Sequence, residues 1–240
     1  NKKIIDRRQA VHLEQLLNVV PNVNFSSGAS RGRFIQIRGI GERSQFIEPL
    51  NPSVGILVDG IDFTGIAGAA TTMDLQQVEI LRGPQGTLYG ANALAGLISL
   101  KANQPTGETR GKVGLGMGRF NTQTVSAAIG GALSPTVNYR LAAQSHSSDG
   151  YVVNDFLARD DTDDIDERSL RAIFTWQMSD RLATKLTLFH ADADNGYDAF
   201  SLDNTRHTLS DKPGHDRQKS AAVAVETTWR SNDAYKWVAL

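Results

Sequence analysis

Three groups of side chains in this chain have the types and spacing that chemistry uses. The first is a glycine-punctuated stretch, Leu75 to Lys101, with glycines at 83, 86, 90 and 96. Glycine-rich turns between a strand and a helix expose backbone N–H groups and can cradle a phosphate. The spacing fits neither usual form: there is no G-x-G-x-x-G, and no Lys-Ser or Lys-Thr follows a glycine. The stretch therefore reads as a compact turn packed inside something else. The second group is the acidic run Asp160-Asp161-Thr162-Asp163-Asp164-Ile165-Asp166-Glu167. Hard cations favour clustered oxygens, but the run lacks the D-x-D-x-D-G…E spacing of a calcium loop and reads as a solvated, self-repelling segment. The third is His190, His207 and His215, with Asp192, Asp194 and Asp203 nearby. Their spacing matches no zinc template, and no nucleophile with an oriented base stands out. The residues point away from an enzyme, and no metal or cofactor is expected.

The elements that position these groups fall into two grammars. Residues 1–104 read as a small, loop-rich α/β unit. Lys2 to Asp6 fits a short strand, and Val11 to Val19 a short helix ended by Pro21. Phe34–Arg38, Val54–Val58, Val78–Leu81 and Leu97–Lys101 read as further strands, with polar loops at Ser26–Arg33 and Ile40–Ser53. Such a unit is marginal alone.

Pro105-Thr106-Gly107-Glu108 marks a boundary, after which apolar and polar residues alternate. Val113, Leu115 and Met117 share one face of the first strand, and Val125, Ala127 and Ile129 one face of the second. Tyr139 and Leu141 then oppose Arg140, while Leu170, Phe174 and Trp176 oppose Arg171 and Thr175. The pattern continues through Leu182–Leu188 and Val223–Trp229, and Tyr235 and Trp237 begin a seventh strand. Short turns at 134–136, 179–181 and 231–234 lie on one side by parity. Long loops at 145–168 and 191–219 lie on the other, and they hold most of the acidic side chains of this half. Period-two strands with short turns on one side and long loops on the other are the pattern of an outer-membrane barrel.

Composition is compatible with this. The 240 residues are 40% hydrophobic with no cysteine, a net charge of −1 and a mean hydropathy of −0.30. No run approaches the ~18–20 apolar residues of a spanning helix, but barrel strands barely register on such a scan. A near-neutral chain is also a poor nucleic-acid surface.

Glu79-Ile80-Leu81-Arg82-Gly83-Pro84, Leu88-Tyr89-Gly90 and Ala95-Gly96 closely resemble the end of the plug domain of TonB-dependent outer-membrane receptors. Phe34-Ile35-Gln36-Ile37-Arg38-Gly39 resembles that family's Ile-Arg-Gly segment, and Val54 to Ile61, with Asp59-Gly60, its Val-Asp-Gly-Val strand and turn. His12 to Pro21 is similar to its opening helix, and Ala91-Asn92-Ala93-Leu94 is a mild departure. The resemblance implies an α+β plug at 1–104 followed by the first strands, 105–240, of an antiparallel transmembrane β-barrel. Its plug motif residues are Gly39, Asp59, Gly60, Glu79, Gly83, Pro84, Gly90 and Gly96. About 22 strands close such a barrel around a plug, so the chain reads as a piece of a longer protein.

The implied function is energised import through the Gram-negative outer membrane of a scarce ligand such as a ferric siderophore, without covalent chemistry. The implied partners are TonB, through a segment upstream of Asn1, the ligand and membrane lipid. In the family resembled, arginines at the positions of Arg38 and Arg82 anchor the plug to glutamates on the inner barrel wall. Arg31 and Arg33, flanking a glycine-rich loop, are expected to be solvated or to contact a ligand or the wall; Tyr89 is a further candidate ligand contact. The alternatives are a passive porin-like channel, which has no preceding α/β unit, and a soluble nucleotide-binding enzyme, which has no lipid-facing alternation.

Overall fold

The computed structural model describes residues 2–27, 30–43, 52–66, 70–89, 92–198, 200–231 and 236–239. Helix α1 (Lys2–Arg8) occupies the segment expected as a strand. Its sequence suits a helix better, because Arg7 and Arg8 fall in the last turn, where cations complement the helix dipole. Gln9, at φ +50°, then ends it in the left-handed conformation common after helices. Ile5 is its one buried side chain. Helix α2 (Glu14–Leu17) is shorter than the expected Val11–Val19, although Leu13, Leu16 and Leu17 are buried as the spacing implied.

Strands β1 (Val23–Ser27), β2 (Gly32–Ile37) and β3 (Ile40–Gly41) form one antiparallel sheet. A second sheet has the order β5 (Ile61–Asp62), β4 (Val54–Val58), β7 (Gly96–Ala102) and β6 (Leu75–Arg82). Within it β4 runs parallel to β7, and β6 runs antiparallel to β7. Every residue of β4 is buried, and Ile98 and Leu100 on β7 are fully enclosed. The crossover between β6 and β7 carries a single helical turn, α3 (Gly86–Tyr89).

Two of the hairpins share one backbone device. Ile37 pairs with Ile40 across Arg38-Gly39, and Val58 pairs with Ile61 across Asp59-Gly60. All four central residues have positive φ, at +55°, +82°, +51° and +88°. These are two-residue turns of the I′ kind, whose twist matches the flanking strands. The Arg-Gly and Asp-Gly dipeptides are thus turn chemistry as well as motif.

Residues 110–239 form one antiparallel meander of β8 (Arg110–Met117), β9 (Gln123–Ser134), β10 (Val137–Ser148), β12 (Ile165–Ser179), β13 (Leu182–Tyr197), β15 (Gly214–Arg230) and β16 (Lys236–Ala239). The small pair β11 (Val153–Asn154) and β14 (His207–Thr208) joins the two long loops. Strands β9, β10, β12, β13 and β15 exceed the ~9–11 residues a tilted strand needs to cross a bilayer. The outward face of the meander exposes Val113, Leu115, Val125, Leu170, Trp176, Val223 and Trp229, as the alternation predicts. The inward face receives the N-terminal unit, and Ala142, Phe189 and Ala191 of that face join its hydrophobic core. Phe63 meets Phe189 edge-on at 5.2 Å.

Gly96 stands where β7 leaves the crossover. A Cβ there would lie 2.5 Å from the Leu81 carbonyl oxygen and 2.6 Å from Ile37. Because the nearer atom is backbone, Gly96→Ala is expected to destabilise the N-terminal unit by about 1–3 kcal/mol. Hydrogen exchange at β6 and β7 in the full-length protein should rise accordingly, while Gly83→Ala, with open space around it but φ +112°, should act through backbone strain alone.

Candidate functional site

The chemistry-bearing side chains converge on the seam between the N-terminal unit and the inner wall of the meander. Strand parity decides which wall residues reach it: Arg140 on β10, Glu167 and Arg171 on β12, Asn195 on β13 and Asp216 on β15 all occupy inward positions.

At the loop end of the seam, Arg31 is only 6% exposed. Its Nε and Nη2 donate to the two carboxylate oxygens of Glu167 at 2.6 and 2.7 Å, and its Nη1 donates to Glu14 at 2.6 Å. Glu14 also accepts the Gly32 backbone N–H at 2.9 Å. Asn195 donates to both Glu167 and Ser30, and Ser30 donates twice to Asp216. Burial works against the Arg31 charge, but the hydrogen bonds and charges of Glu167 and then Glu14 override it and hold the guanidinium protonated.

Toward the short-turn end the polarity reverses, with carboxylates on the N-terminal unit and arginines on the wall. Asp74 accepts from Nε and Nη2 of Arg140, each at 2.7 Å, in the two-pronged geometry that makes such pairs strong. Asn103 braces Asp74 through its side chain. Asp59, from the β4–β5 turn, uses Oδ1 to accept the Ala102 N–H at 2.8 Å and turns Oδ2 toward Arg171 at 3.5 Å. Arg171 donates to the Met73 carbonyl at 3.0 Å and lies over the Phe189 ring. A looser pair, Lys112 with Asp6 at 2.9 Å, is exposed.

Arg31 is not solvated, the first of the expectations for it, because the fold buries it in an ion pair with Glu167 of the wall. Arg33 is half-buried over the Phe34 ring at 5.4 Å, and Tyr89 is exposed on α3. Arg38 and Arg82 are both exposed on a different side, flanking the Pro21–Asn22 turn. Asn22 O accepts from the Arg38 backbone N–H, and Pro21 O weakly from Arg82. None of the ion pairs among the described residues involves either. Glu79 pairs with Lys101 at 2.7 Å, Pro84 is exposed, and Gly90 lies outside the described residues. Sequence reasoning missed Glu14, Asp74, Arg140, Glu167 and Arg171 as seam residues. The available signal was a full charge at an inward strand position, at Arg140 and Arg171.

The long loops are not the free acidic segments expected. Ile165 to Glu167 already belong to β12, and the rest is tied down by Asp198, which is 3% exposed. One oxygen of Asp198 accepts from Asn154, Thr162 and Thr208 at 2.8 to 2.9 Å. Burial pushes Asp198 up, but donors from Ser210, Thr208, Asn154 and Thr162 outweigh it and hold the carboxyl below its usual range. Its neighbour Asp163 is pushed up to about 6, mainly by burial. His207 pairs with Asp155 at 3.0 Å, while His190 points outward from β13. Among the described residues no cluster of His, Asp and Glu is arranged to hold a metal ion.

A family model described as the TonB-dependent Receptor Plug Domain matches residues 1–97. Residues 1–97 are thus a plug domain of the TonB-dependent receptor kind. The pesticin receptor of Yersinia pestis is 30% identical over 150 residues, covering 62% of this chain and 22% of that receptor. The vitamin B12 transporter BtuB of Vibrio vulnificus is 22% identical over 190 residues, covering 76% of this chain and 30% of the transporter. The crystal structure of the ferric yersiniabactin uptake receptor FyuA from Yersinia pestis superposes with a TM-score of 0.85 at 21% identity, covering 98% of this chain and 38% of FyuA. The chain thus spans only 22% to 38% of the length of these relatives. The N-terminal unit is the plug domain, and the meander has the fold of the matching strands of FyuA.

Two outcomes follow from this geometry. Arg140→Ala in the full-length receptor strands the Asp74 carboxylate, which is 5% exposed, and should loosen the seam by roughly 3–5 kcal/mol; hydrogen exchange at residues 72–75 and 102–103 checks this. The raised Asp163 means the packed loop holds a proton more tightly than the free loop. Its stabilising contribution is therefore full below the ordinary carboxylate range and lost as pH rises through about 6. Exchange protection of residues 151–164, corrected for intrinsic rates, should fall between pH 5 and pH 7, and Asp163→Asn should flatten that dependence.

Proposed function

We propose that the complete receptor imports a scarce ferric chelate of the siderophore class across the outer membrane, with TonB supplying the energy. In this reading the plug comprises residues 1–104, the barrel begins at residue 105, and no covalent chemistry is involved. The observation that carries it is the seam: the plug is held to the wall mainly by charged and hydrogen-bonded pairs. Water can replace those contacts when the plug is pulled, whereas a wide apolar seam would resist displacement. A passive pore needs no such plug. The relatives include ferric chelate receptors and a vitamin B12 transporter, and the iron-chelate reading is preferred because FyuA matches nearly the whole chain. The test is uptake of radiolabelled ferric siderophores and cobalamin by cells carrying the full-length receptor, with and without TonB. Ferric chelate uptake that requires TonB is the expected result. Uptake that persists without TonB would make the protein a channel, and uptake of cobalamin alone would move the ligand class.

Arg38 and Arg82 complete the proposal as a second set of anchors, directed at barrel wall beyond these residues. What supports it is their shared exposed corner and the φ of +55° at Arg38. A type I′ turn favours Asn, Asp or Gly there, and an arginine held in the left-handed region is a sign of function elsewhere in the side chain. Arg38→Asn should therefore leave the turn intact or slightly firmer, by up to about 1 kcal/mol, while combined with Arg82→Ala it lowers plug protection and ligand uptake in the full-length receptor. Wild-type protection and uptake in the double variant would refute the anchor role.

A further inference from the structure

Resting on the import reading, we infer that Arg171 and Asp59 form a deliberately under-bonded pair that favours plug release, in contrast to the fully bonded pair of Arg140 and Asp74. The two pairs are alike in residue type and in polarity across the seam, yet they differ in bonding. Asp74 and Arg140 make two hydrogen bonds at 2.7 Å. Arg171 and Asp59 are more deeply buried, with side chains 2% and 3% exposed, but approach only to 3.5 Å. Three of their polar atoms, Arg171 Nε and Nη2 and Asp59 Oδ2, are sealed from solvent with no hydrogen-bond partner. Residues of this chain alone bury these atoms, with Met73 and Phe189 in contact with Arg171.

Physical consequences follow from that difference. A desolvated ion pair is compensated only when its geometry is good and its remaining donors are satisfied. Arg171 donates one bond in the docked state, to Met73 O, although its guanidinium carries five N–H donors. Displacing the plug opens this pocket to lumen water, which satisfies every orphaned donor and acceptor at once. The docked state is thereby raised relative to the displaced one, and less pulling is needed to leave it. The Asp74–Arg140 pair acts in the opposite sense, since displacement breaks good bonds. One pair locates the plug, and the other keeps it releasable. Arg171 is thus a positioning residue for transport that touches no ligand in this arrangement.

The discriminating variants remove each pair whole. Asp59→Asn with Arg171→Met keeps the Ala102 N–H bonded to the side-chain oxygen, tolerates the left-handed turn and deletes both buried charges. Asp74→Asn with Arg140→Met is the matched control. In the full-length receptor, hydrogen exchange of plug amides at 56–63 and 96–102 is expected to slow at least threefold in the first double variant and to quicken at least threefold in the second. TonB-dependent uptake of a ferric siderophore panel should fall at least threefold in the first. Arg171→Met alone strands Asp59 and should quicken exchange, with rescue on adding Asp59→Asn. Quickened exchange in the first double variant would overturn the inference, as would slowed exchange with uptake at the wild-type rate. If the wild-type receptor imports no ferric chelate, the import reading fails by itself, and the exchange comparison still decides whether the pair is under-bonded.

Discussion

Charge buried between two polar surfaces is the constraint on which this structure turns. The plug faces the inward side of a wall whose outward side is apolar, so the contact between them is built from residues a lumen would otherwise hydrate. An apolar seam would gain roughly 25 cal/mol for each Å² removed from water and would resist any pull in proportion to its area. Here the apolar contact is kept small, centred on Phe63 and Phe189 with Ala142 and Ala191 around them. Placement is left to directional bonds, which fix the register of plug on wall and yet exchange with water when broken. The alternation of polarity, Arg31 on the plug against Glu167 and wall arginines against Asp59 and Asp74, adds specificity, because a shifted plug would set like charges together.

The turns explain how a small unit presents those charges at defined points. Asp59-Gly60 and Arg38-Gly39 close their hairpins with the same positive-φ pair. A two-residue turn has little freedom, so the side chain at its first position leaves in a direction set by the strands. Aspartate accepts that conformation readily, and Asp59 also ties the turn to β7 through the Ala102 N–H. Arginine accepts it less readily, so the same device carries a strain at Arg38 that it does not carry at Asp59. The seam residue Asp74 likewise sits at positive φ, at the entry to β6. Three of the plug's charged side chains, Arg38, Asp59 and Asp74, thus leave from left-handed positions.

Much of the architecture was legible because a period of two is a strong signal over strands of 12 to 17 residues: β9, β10, β12, β13 and β15 lie where the alternation put them, although β13 runs on to Tyr197 and β15 starts at Gly214, inside the expected loop 191–219. Short elements were harder. Lys2–Arg8 holds too few residues to show any period, and the balance between strand and helix there is set by charge at the helix end and by the burial of Ile5. The seam was only half legible. A full charge at an inward strand position, as at Arg140 and Arg171, demands a partner, but the partner comes from more than sixty residues away in sequence, and single-chain spacing carries no trace of it. Phe189 and Ala191 are inward yet apolar, because they form the small patch on which Phe63 packs. The acidic run misled for a related reason: Glu167 reads as the end of a repelling loop, yet its carboxylate is neutralised by Arg31.

That dual membership of Glu167 couples the outer loops to the plug. The Asp166 backbone N–H donates to Asn195 Oδ1, and Asn195 in turn donates to Glu167 and Ser30. One residue further out, the Gly196 N–H donates to the Asp164 carbonyl at 2.9 Å. A Cβ at Gly196 would meet Asp164 Oδ1 at 2.5 Å and the Thr162 carbonyl at 2.6 Å, so the loop closes directly onto the backbone of β13. Thr162 hands on to Asp198, where both long loops meet. From Asp198 to Arg31 the links are directed hydrogen bonds joined by short stretches of backbone. A shift of the loop across Gly196 would therefore be felt at Glu167, and through Glu167 at the buried guanidinium that holds the upper edge of the plug.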